Sequence, residues 1–163
     1  VISIFAFASM FASFLFEFSE SQILFLGVFI NLSGIIGCLI LGRYEDKIGS
    51  EKTVLVCILG LFLSTIFLYF TKKYEIFWLL ALLIGFFIGP IQASSRSVIV
   101  KKIRSGDQLS AFCSFAMFGN ICAILGPFLV GLIIDYSGNI RYGLLVIPMF
   151  FLCSLIPFKK ISV

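Results

Sequence analysis

Long apolar runs separated by short polar turns make up most of the chain. The runs are 1–16, 22–41, 53–70, 76–100, 109–134 and 142–158, all rich in Leu, Ile, Phe and Val. A helix rises about 1.5 Å per residue, so a run of roughly 20 residues crosses a hydrocarbon core of about 30 Å. Inside hydrocarbon each segment must satisfy its own backbone, and uninterrupted runs of this length do so as helices. Barrel strands would be about half as long and would alternate apolar with polar residues, which these do not. The pattern predicts an all-α, polytopic membrane helical bundle. Run 1–16 would rise only about 24 Å as a helix, and is expected to be the later half of a span that begins before Val1. That makes about five and a half spans in all.

Small and polar residues interrupt the runs at helical spacing. In 22–41 they are Gly27, Asn31, Gly34 and Cys38, continuing to Gly42; in 76–100 they are Gly85, Gly89, Gln92 and Arg96. Residues three and four apart share one face of a helix. In membranes such a face marks either close helix contact or, where it carries a polar group, a wet cavity, and the spacing leaves both open. Pro90 is expected to kink its helix within the polar patch Gly89-Pro90-Ile91-Gln92-Ala93-Ser94-Ser95-Arg96-Ser97. Arg96 is the one charge clearly inside a run, so it should either be paired or snorkel to water from near its helix end. Run 109–134 has Gly119, Ala123 and Gly126 on one stripe, with Asn120 beside it and a bend expected at Pro127. Ser9 and Ser13, four apart, face a cavity or bond their own helix. Run 53–70 shows no such pattern and is expected to face lipid, and Trp78 marks an interface.

Composition narrows the function. With 163 residues, 61% of them hydrophobic and 12% charged, the chain has too little polar surface for a soluble domain. There is no histidine, which removes His-based catalytic triads, His metal sites and His proton relays. The five cysteines lie singly inside apolar runs and read as small hydrophobes, with no disulfide, zinc or other metal framework. No nucleotide-binding loop is present, and no cofactor is expected. The turns at 43–52 and 101–108 and the tail at 159–160 hold most of the Lys and Arg, while the opposite side holds only Lys72, Lys73 and Arg141. The positive-inside rule places the basic turns and the C-terminus in the cytoplasm, in an inner or plasma membrane. This topology accounts for the net charge of +4 without a nucleic-acid partner. All eight acids lie at span ends or in turns. A mid-membrane proton carrier is therefore not expected in this chain, with Glu17 and Asp135 the nearest candidates.

The turn from Gly42 to Lys52 carries six of the twenty charged residues. Gly42 and Gly49 are expected to permit a tight reversal, and Asp46 and Lys47 sit at the membrane surface. Gly42, Asp46, Lys47, Gly49 and Lys52 resemble the signature loop of the major facilitator superfamily. They depart from it at Ser50-Glu51, where basic residues are more usual. The resemblance extends through Gly89-Pro90-x-Gln92-Ala93-x-Ser95-Arg96-Ser97 and Phe118-Gly119-Asn120 with Leu125-Gly126-Pro127, although a basic residue would be expected at Asn120. Together these are similar to the unknown-major-facilitator branch, related to the autophagy-associated vacuolar amino-acid effluxers.

The resemblance implies that residues 1–163 are the C-terminal half of a twelve-helix transporter, partnered by an N-terminal six-helix half and the lipid bilayer. It implies a secondary transporter moving a small solute, amino acids among the classes, by alternating access. Asp46 would then hold a cytoplasmic gate against Arg96 and a helix end of the other half. Two further classes stay open. A membrane-embedded enzyme would want a cluster of His, Asp or Glu, which only Glu45, Asp46 and Arg96 approach. A non-transporting scaffold would have no use for the polar face of Gln92 and Arg96, and a half-bundle would have to oligomerise to enclose a path.

Overall fold

The computed structural model describes residues 10, 12–13, 17–71, 73–103, 107–138 and 140–161, with the side chains of 140–141 and 155–161 not described. The predicted span 1–16, with Ser9, lies almost wholly outside the described residues. The others form six helices: α1 (Glu20–Ile48), α2 (Ser50–Phe70), α3 (Tyr74–Lys102), α4 (Gln108–Ser137), α5 (Ile140–Leu144) and α6 (Val146–Ile161). Among the described residues, α1 to α4 are long and apolar enough to cross a membrane.

α1 opens on a capping box. The Gln22 N–H donates to Ser19 Oγ at 3.4 Å, and the Ser19 N–H donates to Gln22 Oε1 at 3.0 Å. This satisfies two N–H groups that a helix start would otherwise leave free. At its other end the reversal expected over residues 42–52 contracts to one residue. α1 continues through Gly42, Asp46 and Lys47 to Ile48, and α2 begins at Ser50. Nothing between Arg43 and Ile48 breaks a helix, so the backbone stays paired as it leaves the bilayer. Gly49 turns the chain at φ +91°, a conformation that glycine adopts without steric cost, and its N–H closes on the Glu45 carbonyl at 2.9 Å. Gly42 contributes no close approach, because a Cβ there would meet nothing within 4 Å. At 29 residues α1 is about 44 Å long, so its last two turns, which carry Arg43 to Ile48, extend past a 30 Å core.

α3 packs along both α1 and α2, and α2 also packs against α6. The core at these contacts includes Leu26, Ile30, Leu61, Phe77, Ile84 and Ile88. The expectation that 53–70 faces lipid holds for one side only, where Val56, Leu59, Leu63 and Phe67 are exposed. α2 buries Thr53, Val54, Cys57, Ile58, Leu61, Ser64, Thr65 and Leu68 between its neighbours. Its mid-span hydroxyls turn back on their own helix, Ser64 to the Gly60 carbonyl at 2.7 Å and Thr65 to the Leu61 carbonyl at 2.8 Å. They therefore enter a dry interface at little cost.

The span expected over 142–158 is broken at Leu145. Pro148 has no N–H to offer the Leu144 carbonyl, and the Leu145 N–H falls back to the Tyr142 carbonyl at 3.1 Å. At the end of the bundle where α3 begins, Trp78 sits among aromatic rings rather than at a wet interface, its indole N–H buried and without a hydrogen-bond partner among the described residues. Its ring stacks on Phe18 at 6.1 Å and meets Phe29 edge-on.

Candidate functional site

The seam between α1 and α3 brings together six of the residues singled out by spacing. The two helices run in the same direction, and an offset of 49 residues sets their register. Ser33 Oγ donates to the Leu82 carbonyl at 2.7 Å, Gly37 lies against Phe86, and Ser94 Oγ donates to Glu45 Oε2 at 2.5 Å. Ser33, Gly37, Leu41 and Glu45 thus form one i+4 row, facing Leu82, Phe86, Pro90 and Ser94.

Glycine makes this approach possible. A Cβ on Gly85 would stand 2.5 Å from the Ile30 carbonyl oxygen, and one on Gly89 would stand 2.6 Å from that of Gly34. A Cβ on Gly34 would reach the Gly85 oxygen at 3.3 Å. The tightest point is Gly37, where a Cβ would overlap the Phe86 carbonyl. That carbonyl is the one left without an intrahelical donor by Pro90, four residues on. Gly37 is thus the glycine on which α1 accommodates the carbonyl that the proline frees.

Beside the seam lies a cleft of about 340 Å³, lined by Asn31, Gly34 and Cys38 from α1 and by Gly85, Gly89 and Gln92 from α3, among apolar neighbours. The Asn31 amide donates to the Gly27 carbonyl at 2.7 Å, which leaves its Oδ1 able to accept. Gln92 is exposed and makes no hydrogen bond among the described residues. Two primary amides therefore face an otherwise apolar groove with no carboxylate or cation lining it.

The remaining candidates lie elsewhere. Ser95 turns back to the Ile91 carbonyl at 2.5 Å and contributes nothing across the seam. Asp46, Lys47 and Lys52 are exposed at the basic end, and so is Arg96. Among the described residues neither Asp46 nor Arg96 enters an ion pair. On α4, Gly126 is buried, while Gly119, Asn120 and Pro127 are exposed and outside the cleft.

Residues that the spacing argument passed over carry much of the seam: Ser33, Gly37, Glu45, Ser94 and Ser97. Gly37 could have been found from sequence, since it lies three residues after Gly34. Glu45 could not, because it reads as one more charge beside Asp46.

Apolar helices of membrane-crossing length, joined by a one-residue turn and tight glycine contacts, define a polytopic helical membrane protein. The chain belongs to the Atg22-like vacuole effluxer family, whose model matches residues 2–163. It is 27% identical over 154 residues to autophagy-related protein 22 of Cryptococcus neoformans, covering 85% of this chain and 27% of that protein. To the protein of the same name from Pichia angusta it is 29% identical over 148 residues, covering 82% and 26%. Against that of Saccharomyces cerevisiae it is 41% identical over 86 residues, covering 53% and 16%. The chain thus spans about a quarter of the length of the Cryptococcus and Pichia relatives. No solved structure matches it.

Proposed function

We propose that this chain is the C-terminal half of a major-facilitator-type secondary transporter. The whole protein would move a small solute, with amino acids the favoured class, by alternating access. The α1/α3 cleft would form part of the solute path. The observation that carries this reading is the pair of amides, Asn31 and Gln92, facing an apolar groove in a family described as vacuole effluxers. Neutral amides in an apolar site can give and accept hydrogen bonds to a polar or zwitterionic solute, and they impose no fixed charge that would hold it. The glycine contacts beneath them form a firm seam that two halves could rock against.

The family name points to a vacuolar membrane, whereas sequence alone suggested an inner or plasma membrane. We place the basic turns at 43–52 and 101–108 on the cytoplasmic side of it. Asp46 and Arg96, both exposed at or near that side, are left to meet the rest of the whole protein as the gate. The test is efflux of labelled neutral amino acids from vesicles carrying the whole protein. Asn31→Ala and Gln92→Ala should each lower the flux about tenfold, the loss of roughly one buried hydrogen bond to solute. A wild-type protein that moves no amino acid, or a double variant with undiminished flux, would sink the reading. Asp46→Asn should shift the balance between inward- and outward-open forms; an unchanged balance removes Asp46 from the gate.

A further inference from the structure

The polar contacts at the basic end converge on Glu45 rather than on the signature acid beside it. Glu45 is the last member of the α1 row that faces α3, two turns beyond Gly37. Its side chain is only 14% exposed. It accepts from Ser94 Oγ at 2.5 Å, and the Lys101 ammonium stands 4.0 Å from its other oxygen. The Ser50 and Ser97 hydroxyls complete its surroundings. Those two hydroxyls bond each other at 3.0 Å, and Lys101 also donates to Ser50 Oγ at 2.6 Å. One carboxylate thereby gathers α1, the first residue of α2, and three positions of α3. A second pair, Lys102 with Glu51 at 2.7 Å, ties α3 to α2 alongside it. Asp46 is rotated about 100° around the helix from Glu45 and faces outward.

We propose that Glu45 is a positioning residue that latches the basic ends of α1, α2 and α3 and keeps the seam below the cleft closed. Cys38, which lines the cleft, lies seven residues earlier on α1, about 10 Å along the axis. Gln92 lies two residues before Ser94 on α3. With the latch made, the cleft is shut off from the basic end along the Gly37 row. With it broken, the ends of α1 and α3 are free to part and water reaches Cys38 from that side. A part for the latch in a transport cycle rests on the transporter reading; the latch itself does not.

Cys38 supplies the readout, and Cys57, fully buried on α2, supplies the control. The experiment follows site-resolved alkylation by a maleimide on the whole protein in membrane vesicles, with efflux measured on the same preparation. Glu45→Ala should raise the rate at Cys38 about tenfold or more, since it removes a hydrogen bond to a charged group. Ser94→Ala should raise it less. Glu45→Gln, which still accepts from Ser94, should return it to within about threefold of wild type. Glu20→Gln, exposed at the opposite end of α1, should leave the rate unchanged. An unchanged rate at Cys38 in both Glu45→Ala and Ser94→Ala overturns the proposal. So does a parallel rise at Cys57 in both, because the substitution then loosens the whole bundle. Altered labelling in the variants, with no flux through the wild-type protein, would sink the transporter reading and leave the latch standing. Normal flux with unaltered labelling would do the reverse.

Discussion

The α1/α3 seam and α4 carry the same kind of sequence signal and do different things with it. Each has small residues at three- and four-residue spacing in an apolar run. On α1 and α3 the stripe is a contact: Gly34, Gly37, Gly85 and Gly89 bring backbone against backbone. On α4 the stripe of Gly119, Ala123 and Gly126 buries only Gly126 fully, and a Cβ on Gly119 would meet nothing within 4 Å. The apolar stretch of α3 is 39% buried, that of α1 17% and that of α4 11%, so the seam differs from α4 chiefly in its backbone contacts. Apolar character gives a helix its place in the bilayer but does not choose its partner. Choice requires a feature on the facing helix that a small residue alone admits. On α3 that feature is the run of carbonyls around Pro90; on α4 the tight glycine approach comes from the Val130 and Ile134 side chains, which seat against Gly143 of α5, and the Gly119 end of the stripe meets nothing.

The comparison is most sharply tested at Gly37. Gly37→Ala should cost about 3 kcal/mol, the upper part of the usual range for overpacking, because backbone rather than a flexible side chain would have to move. Gly42→Ala, five residues along the same helix, should stay within about 0.5 kcal/mol, since its Cβ enters open space. Unfolding in mixed detergent micelles measures both. Equal effects would mean that the seam is not what distinguishes these glycines. Replacing Pro90 with Ala restores the missing N–H of α3 and draws the Phe86 carbonyl back into its own helix. In that background the cost of Gly37→Ala should fall by about 1 kcal/mol, a coupling readable in a double-mutant cycle.

Gly89→Ala comes next, at about 2 kcal/mol. Its Cβ would stand 2.6 Å from the Gly34 oxygen, but the Cys38 sulfur on its other side, at 2.8 Å, is a side-chain atom that can turn away. Adding Cys38→Ala should therefore recover part of the loss. If it recovers nothing, the carbonyl alone is the obstacle.

How much of this was legible beforehand follows from what each residue does. Membrane helices and the cleft residues Asn31, Gly34, Gly85, Gly89 and Gln92 were readable, because run length and helical spacing are properties of a single segment. The one-residue turn was not. Charges between Arg43 and Lys47 look like a loop, yet they are compatible with helix once the backbone has left the hydrocarbon. The burial of α2 was hidden because Ser64 and Thr65 bond their own helix and show no external demand. The break at Leu145 was written in Pro148, three residues on, and needed only the accounting of the Leu144 carbonyl. The choice of Glu45 over Asp46 was out of reach, since it depends on a register between α1 and α3 that neither helix contains alone. Nothing but the facing row of Leu82, Phe86, Pro90 and Ser94 separates two adjacent acids.

Ser33 and Gly119 give the smallest effects, and together they ask whether the contrast between seam and α4 survives in the whole protein. Ser33→Ala removes the hydrogen bond to the Leu82 carbonyl, which keeps its own helical donor, so the loss should be about 0.6 kcal/mol, typical of an interhelical bond in a membrane. That value should be the same in this chain and in the full-length protein, because both partners lie within the seam. Gly119→Ala should be neutral in this chain, within about 0.5 kcal/mol. Under the proposed half-transporter reading, it should become destabilising in the full-length protein, by about 1 kcal/mol or more, where the proposed other half packs on the open stripe of α4. A Gly119 variant that is neutral in both settings would assign that stripe to lipid.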